Sequence, residues 1–447
     1  MQFVGRKNEL LALESARKGS LKGPARMTVV LGRRRIGKTT LILESVKGTP
    51  YVYWFITQGT EKDLVATLLT ASQAALGDVL PQGITSFASL FDWMMRISET
   101  RSFTLIVDEF QNLAAVNPTL FSRLQDLWDR LRNRSHLNLI LCGSTYSMMK
   151  RIFEDRREPL FGRATTKIQV KAFTPAELVD IAQRENPAMT NDDLLTLFCI
   201  TGGVPYYVED FVDNNVLKKK AMFQWVVRPG SFFLSEGLDL LRLEIGSGQS
   251  TYFSILRALA SGQTQAARIA DLIGVPVITS YLERLELYGF VEKMRPVLAK
   301  PNTRAVRWKI SDPFLRFWFR FIEPGATLIS CGKPDAIAQN IEKNYETFSG
   351  IALEQFFQEK LRTSGNYSLV GNWWSQKLGQ QSEQNEIDIV AISCDEKSAL
   401  VAEVKRQKKS FKEKAFRDKV EYLKTMALAG FQVKRALFTL EDIGLKN

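Results

Sequence analysis

The segment "TVVLGRRRIGKTTLILE" holds residue types and a spacing suited to a polyphosphate. Gly32, Arg33, Arg34, Arg35, Ile36, Gly37, Lys38 and Thr39 fit GxxxxGK[ST], and Thr40 follows. The glycines let the backbone wrap an anion where a side chain would intrude. Backbone N–H groups and the start of the next helix then face the phosphates of ATP. Lys38 would reach the β- and γ-phosphates, and Thr39 would hold Mg²⁺. Downstream, "SFTLIVDEFQNLA" runs from the apolar stretch Phe103 to Val107 into Asp108 and Glu109. Asp108 would bind Mg²⁺ there, and Glu109 would polarise the attacking water. "LNLILCGSTYSMM" ends on Ser144 and Thr145. Ser144 either contacts the γ-phosphate or its water, or simply turns the chain. Arg163 follows a glycine in "REPLFGRATTKIQV". It could neutralise charge on a neighbour's ATP in a homo-oligomer. Arg156 and Arg157 are alternatives, and a solvated loop arginine fits the same spacing.

A second set of acids lies near the other end. In "EIDIVA", Glu386 and Asp388 are two apart and share one face of a strand. In "ALVAEVKRQKK", Glu403 and Lys405 do the same. On neighbouring strands, three carboxylates and a lysine would converge. Carboxylates and a carbonyl oxygen suit Mg²⁺. Such a metal lowers the pKa of its water, and a lysine orients or deprotonates it. Charges that only solvate strand ends would look alike. The basic run Arg406, Lys408, Lys409, Lys412 and Lys414 suits either a phosphate backbone or a solvated helix start.

The elements that position these residues follow from pattern. At 447 residues the chain is too long for a single core. With one histidine, His136, it cannot build a histidine-dependent hydrolase elsewhere, and its four scattered cysteines do not suggest zinc or a disulfide framework. No apolar run reaches the ~20 residues of a membrane span. The beginning "MQFVGRKNEL" lacks the apolar core of a signal peptide. A cytoplasmic protein without a membrane partner is expected. A formal charge of +12 favours polyanions, so nucleic acid is expected as a partner, DNA ahead of RNA. The expected class is α/β. A P-loop core with a parallel sheet spans 1–172, a helical lid 173–245, a winged helix 246–325, and a further α/β domain 335–447. In the lid, Thr174, Pro175 and Glu177 form a capping-box pattern, and Asn191 is expected to cap the next helix. The third helix of the winged helix would offer Thr279, Ser280 and Arg284 to a groove. "FLRFWFRFIEPG" reads as core or interface. The last segment reads helix, strand, strand, helix, strand.

"FVGRKNEL", "GRRRIGKT", "LIVDEFQNL", "LCGS", "PLFGR" and "TGGVPYYV" occur in that order. Together they resemble the archaeal-type ATPase family, P-loop ATPases close to AAA+ and STAND proteins. The resemblance implies that Gly5 and Arg6 lie near the adenine, that Ser144 is the sensor-1 position, and that Arg163 is the finger. "EIDIVA…EVK" resembles PD-(D/E)XK nucleases, which have a restriction-endonuclease-like fold. That resemblance implies Asp388 and Glu403 as metal ligands, Lys405 as the catalytic lysine, and Glu354 as a helix acid. The expectation is a Mg²⁺-dependent ATPase coupled to a nucleic-acid-binding, nuclease-type domain. The alternative is a STAND-like switch or scaffold whose C-terminal domain docks partners without cutting.

Overall fold

The computed structural model describes residues 1, 3–77, 83–246, 250–375 and 385–445. They form two compact units, Gly5–Lys171 and Met1–Val4 with Ala172–Asn447.

The first unit is built on one parallel sheet. Its strands are β1 (Arg26–Leu31), β2 (Tyr51–Phe55), β3 (Thr104–Asp108), β4 (Asn138–Cys142) and β5 (Thr166–Gln169), in the spatial order β2–β3–β4–β1–β5. Every residue of β3 and β4 is buried, as a parallel sheet covered on both faces requires. Parallel neighbours need crossovers, and helices supply them. Helix Leu120–Leu131 shows why the sequence folds so. Its buried Leu120, Phe121, Leu124, Leu127, Trp128 and Leu131 repeat with the helical period. Trp54 and Trp128 are fully buried, and replacing either by alanine would cost about 3–5 kcal/mol. Val30 lies opposite Cys142, and Val107 opposite Leu141. The chains leaving β1, β3 and β4 therefore emerge at one level, at the carboxyl end where α/β sheets bind ligands.

The second unit begins with five helices, Pro175–Glu185, Asn191–Thr201, Pro205–Asp213, Lys219–Val227 and Phe233–Ile245. The expected capping box forms: Glu177 N donates to Thr174 Oγ1 (3.2 Å) and Thr174 N to Glu177 Oε2 (2.7 Å). The next helix corrects the reading of Asn191. Thr190 is the cap, because Asp193 completes a second capping box with it. Asn191 instead accepts from Leu445 N at 3.2 Å.

Helices Ser250–Ala260, Ala266–Ile273 and Thr279–Leu287 lead into the antiparallel hairpin β6 (Val291–Met294) and β7 (Arg307–Ile310). The segment joining the two strands is anchored. Val297 is buried in the same core as Trp373, Ile387 and Val401, and its N–H donates to Asn372 O at 2.9 Å. The aromatic residues Phe314, Phe317, Trp318, Phe319 and Phe321 are all buried core.

The helix expected over Glu346 to Arg362 runs from Pro334 to Thr363. Its buried Ile337, Ile341, Tyr345, Phe348, Ala352 and Phe356 keep one stripe throughout. The final sheet has the order β11–β10–β9–β8. Its strands are β8 (Tyr367–Trp374), β9 (Glu386–Ser393), β10 (Ser398–Val404) and β11 (Gln432–Phe438). Only β10 and β11 pair in parallel. Strand β8 is one more than the sequence order predicts. Its alternation is obscured by Gly371 and Asn372, where the register shifts.

Candidate active sites

The phosphate loop leaves β1 at Gly32. A Cβ there would meet Ile36 Cγ2 and Val170 O, each at 2.9 Å, so the close packing admits only glycine. Arg35 (φ 66°) and Gly37 (φ 83°) take left-handed conformations. Alternating conformations of this kind turn successive amides inward, as anion-binding nests do. Ile36 is buried beneath the loop, while Arg34 and Thr40 are exposed and Arg33 is partly exposed. Lys38 begins helix Lys38–Ser45, and its Nζ donates to Gly32 O (2.8 Å) and Arg33 O (2.9 Å). Its ammonium is thus held across the loop.

Asp108 collects donors from four directions. Thr39 Oγ1 (2.9 Å) and Tyr53 OH (2.8 Å) donate to Oδ2. Cys142 Sγ (3.1 Å) and Glu109 N (2.8 Å) donate to Oδ1. Burial and the bond to Asp108 push the Tyr53 phenol well above its usual pKa. Burial and the charge of Asp108 do the same for the Cys142 thiol. Both stay neutral donors. Glu109 sits at φ 55°, a left-handed geometry that costs a residue with a side chain roughly 1–3 kcal/mol. Its Oε2 accepts from Ser144 Oγ (2.7 Å) and Gln111 Nε2 (2.5 Å). Gly143 makes room for this: a Cβ there would fall 1.8 Å from Gln111 Oε1.

Lys38, Thr39, Asp108, Glu109 and Ser144 therefore meet at the ends of three adjacent strands. Gln111, Gly143, Tyr53 and Cys142 complete the arrangement and went unread. Gln111 and Gly143 had a faint signal, lying within "DEFQNL" and "LCGS". Tyr53 had none, because only the sheet order brings the end of β2 beside β3. Gly5 (φ 68°) and Arg6 (φ 62°) form a left-handed pair before helix Lys7–Lys22, and Arg6 donates to Lys171 O at 2.6 Å. Arg163 is not brought to this cluster. It donates to Phe161 O and Asp129 Oδ2, each at 3.0 Å. The sole histidine is structural, with Nδ1 2.8 Å from Gly23 O.

The second set forms on β9 and β10. Lys405 Nζ lies 2.9 Å from Glu403 Oε1 and 3.5 Å from Asp388 Oδ2. Val404 N donates to the same Asp388 oxygen at 2.8 Å. Glu403 Oε2 is buried with no hydrogen-bond partner. Burial raises the pKa of Asp388. Burial works to lower Lys405, but Asp388 and Glu403 outweigh it and hold the ammonium above its usual pKa.

The wider convergence expected of the acids does not occur. Among the described residues no three His, Cys, Asp or Glu gather closely enough for a metal ion. Glu386 is taken up by Arg307 NH1 at 2.9 Å. Glu354 stands nearby on helix Pro334–Thr363, where burial and then the charges of Asp388 and Glu386 raise its pKa well above normal, favouring the neutral acid. Of the expected ligand set, Asp388 and Glu403 are the two that share Lys405. Arg406 also leaves the expected basic run. It donates to Asp192 Oδ1 (2.7 Å) and Ser349 Oγ (2.6 Å), while Lys408, Lys409, Lys412 and Lys414 remain exposed.

A family described as an ATPase domain predominantly from Archaea matches residues 3–211. Another, described as archaeal and bacterial proteins of unknown function, matches residues 318–417. An uncharacterized protein of Methanocaldococcus jannaschii is 26% identical, over 98% of this chain and 99% of its own length. Among solved structures, a Walker-type ATPase of Pyrococcus abyssi has a TM-score of 0.53 at 20% identity, covering 71% of this chain and 96% of its own. The ORC2 protein of Aeropyrum pernix, solved in ADPNP–ADP complexes, has a TM-score of 0.46 at 16% identity, covering 76% and 96%. No described helix is long and apolar enough to cross a membrane. The N-terminal part of the chain matches the archaeal ATPase domain and carries its phosphate loop, and the protein is an ATPase.

Proposed function

We propose a Mg²⁺-dependent ATPase whose nucleotide cycle governs a nucleic-acid-binding C-terminal domain, and that this domain cleaves phosphodiester bonds. At the ATPase site the donor chemistry fits the metal. Thr39 Oγ1 and Asp108 Oδ2 are adjacent oxygen donors, the kind Mg²⁺ takes along with water and phosphate. Bound there, the ion would neutralise charge on the transferring phosphoryl group. Lys38 would exchange its loop carbonyls for the β- and γ-phosphates. Glu109, fixed by Ser144 and Gln111, would orient the attacking water. Gly5 and Arg6 would border the adenine, and Arg163 would act on a neighbouring copy. Residues 173–245 would serve as the lid and 246–325 as a winged helix.

The observation that carries the nuclease reading is the triad of Asp388, Glu403 and Lys405, together with the unpartnered Oε2 of Glu403. A buried carboxylate oxygen without a donor is costly, and a divalent cation would satisfy it. Mg²⁺ bound by Asp388 and Glu403 would supply an activated water, and the Lys405 ammonium would orient it. The test is cleavage of labelled DNA with Mg²⁺, with and without ATP. Lys405→Ala should reduce cutting by about a hundredfold. Equal cutting by the variant removes the assignment, and leaves a switch whose C-terminal domain only docks partners.

A further inference from the structure

A cleft of about 770 Å³ opens within the second unit, between the hairpin module and the edge of the final sheet. One wall is the hairpin module: the turn at Gly262 and Thr264, the start of helix Ala266–Ile273, and Arg304 to Trp308. The other is the edge of the final sheet at Trp374, Ser375, Asn385 and Glu386. The walls are fixed to each other. Val297 is buried in the core of the sheet, its N–H donates to Asn372 O at 2.9 Å, and Arg307 donates to Glu386 across the cleft at 2.9 Å.

The lining is strongly cationic. Among the described residues of the lining, Arg268, Arg304 and Arg307 face a single carboxylate, Glu386, which is already paired with Arg307. The Arg307 guanidinium lies 4.4 Å from the Trp374 ring centroid, so it is held from beneath as well as from the side. Arg268 and Arg304 are exposed, and among the described residues they have no ion-pair partner. Two exposed guanidinium groups beside one held over an aromatic ring suit a chain of phosphates carrying planar groups. The volume falls in the range of ligand pockets, ~300–1,000 Å³. The cleft also has a direction. Glu386 and Asp388 lie on the same face of β9, about 7 Å apart at two residues' rise.

We propose that this cleft binds a single strand of nucleic acid. Arg268 and Arg304 take successive phosphates, and Arg307 offers its plane to a base. The strand is thereby led along β9 toward Asp388, Glu403 and Lys405; this delivery step alone rests on the nuclease reading above.

The test is fluorescence anisotropy of the full chain in EDTA, so that nothing is cut. The probes are labelled oligothymidylate of about twenty nucleotides and the same strand in a duplex. The single strand should bind more tightly than the duplex. Arg268→Glu with Arg304→Glu should weaken it about tenfold and flatten the salt dependence by about 1.4 log units per log salt. Lys18→Glu with Lys22→Glu makes the same change of charge in the other unit and should have a far smaller effect. A preference for duplex, or equal weakening by both pairs, overturns the cleft. So does absence of binding in a chain whose circular dichroism shows it folded. Cleavage in Mg²⁺ is scored separately. A chain that binds through the arginines and cuts nothing keeps the cleft and removes the nuclease. One that cuts a single strand equally with and without the arginines keeps the nuclease and removes the cleft.

Discussion

Asp108 and Asp388 are each the acidic centre of their unit, and each is satisfied by opposite means. Asp108 is held by two hydroxyls, a thiol and an amide, all neutral. Lys38, nearby, donates to the carbonyl oxygens of Gly32 and Arg33. Asp388 accepts from one neutral donor, Val404 N, and shares a lysine with Glu403. Neutral donors orient a carboxylate and leave its full charge for an incoming cation. A lysine already cancels part of that charge, so a metal arriving there must compete with it. The C-terminal acids therefore already hold an internal cation, Lys405, in the place the proposed function gives to a metal.

The largest expected effect breaks the first half of this comparison. Glu109→Gln keeps the shape and removes the charge, so ATP turnover should fall by about 10²–10⁴ while nucleotide binding survives. Phosphate release and binding of a labelled analogue measure the two separately. Normal turnover in this variant would mean that the water is activated elsewhere.

Next comes the scaffold of that glutamate. Gly143→Ala forces Gln111 away and should cost about 1–3 kcal/mol in urea unfolding, with a matching loss of turnover. Adding Gln111→Ala should restore part of the stability, Met149 Sδ still lying 2.9 Å from the new Cβ, but leave turnover low. Recovery of both would reduce Gln111 to a space-filler.

The second half of the comparison is tested by Lys405→Ala in metal-free buffer. Two carboxylates lose their shared donor, so stability should fall by about 1–3 kcal/mol. Mg²⁺ should then raise Tm more in the variant than in the parent, because the ammonium no longer competes. An equal Mg²⁺ response would show that the lysine does not stand in for the ion.

The smallest effect is Tyr53→Phe, which removes one of four neutral donors. It should cost about 0.5–1.5 kcal/mol and change turnover little. A loss as large as that of Glu109→Gln would place Tyr53 in the chemistry itself.

The phosphate loop was legible in the sequence because one continuous segment carries strand, loop and helix. Asp108 and Glu109 were legible because an apolar run must end somewhere, and it ended in acid. Residues that act by reaching across the sheet were not. Tyr53 and Gln111 depend on strand order and on a missing Cβ, neither of which has a local pattern. The same limit explains Glu386. Its period-two spacing with Asp388 placed both on one face correctly, yet Arg307, 79 residues earlier, claims it. Strand β8 escaped because a glycine and an asparagine interrupt its alternation.

Val297 carries a consequence for anyone cutting the chain. The sequence suggests a boundary between residues 325 and 335, and a fragment beginning there contains every strand of the final sheet. It would in fact leave an open socket beside Trp373, Ile387 and Val401, where Val297 belongs. It would also lose Asp192, the carboxylate that clasps Arg406 next to Lys405. Such a fragment should express poorly or expose apolar surface. Supplying residues 172–325 as a separate polypeptide should rescue it, as the missing half of one folding unit.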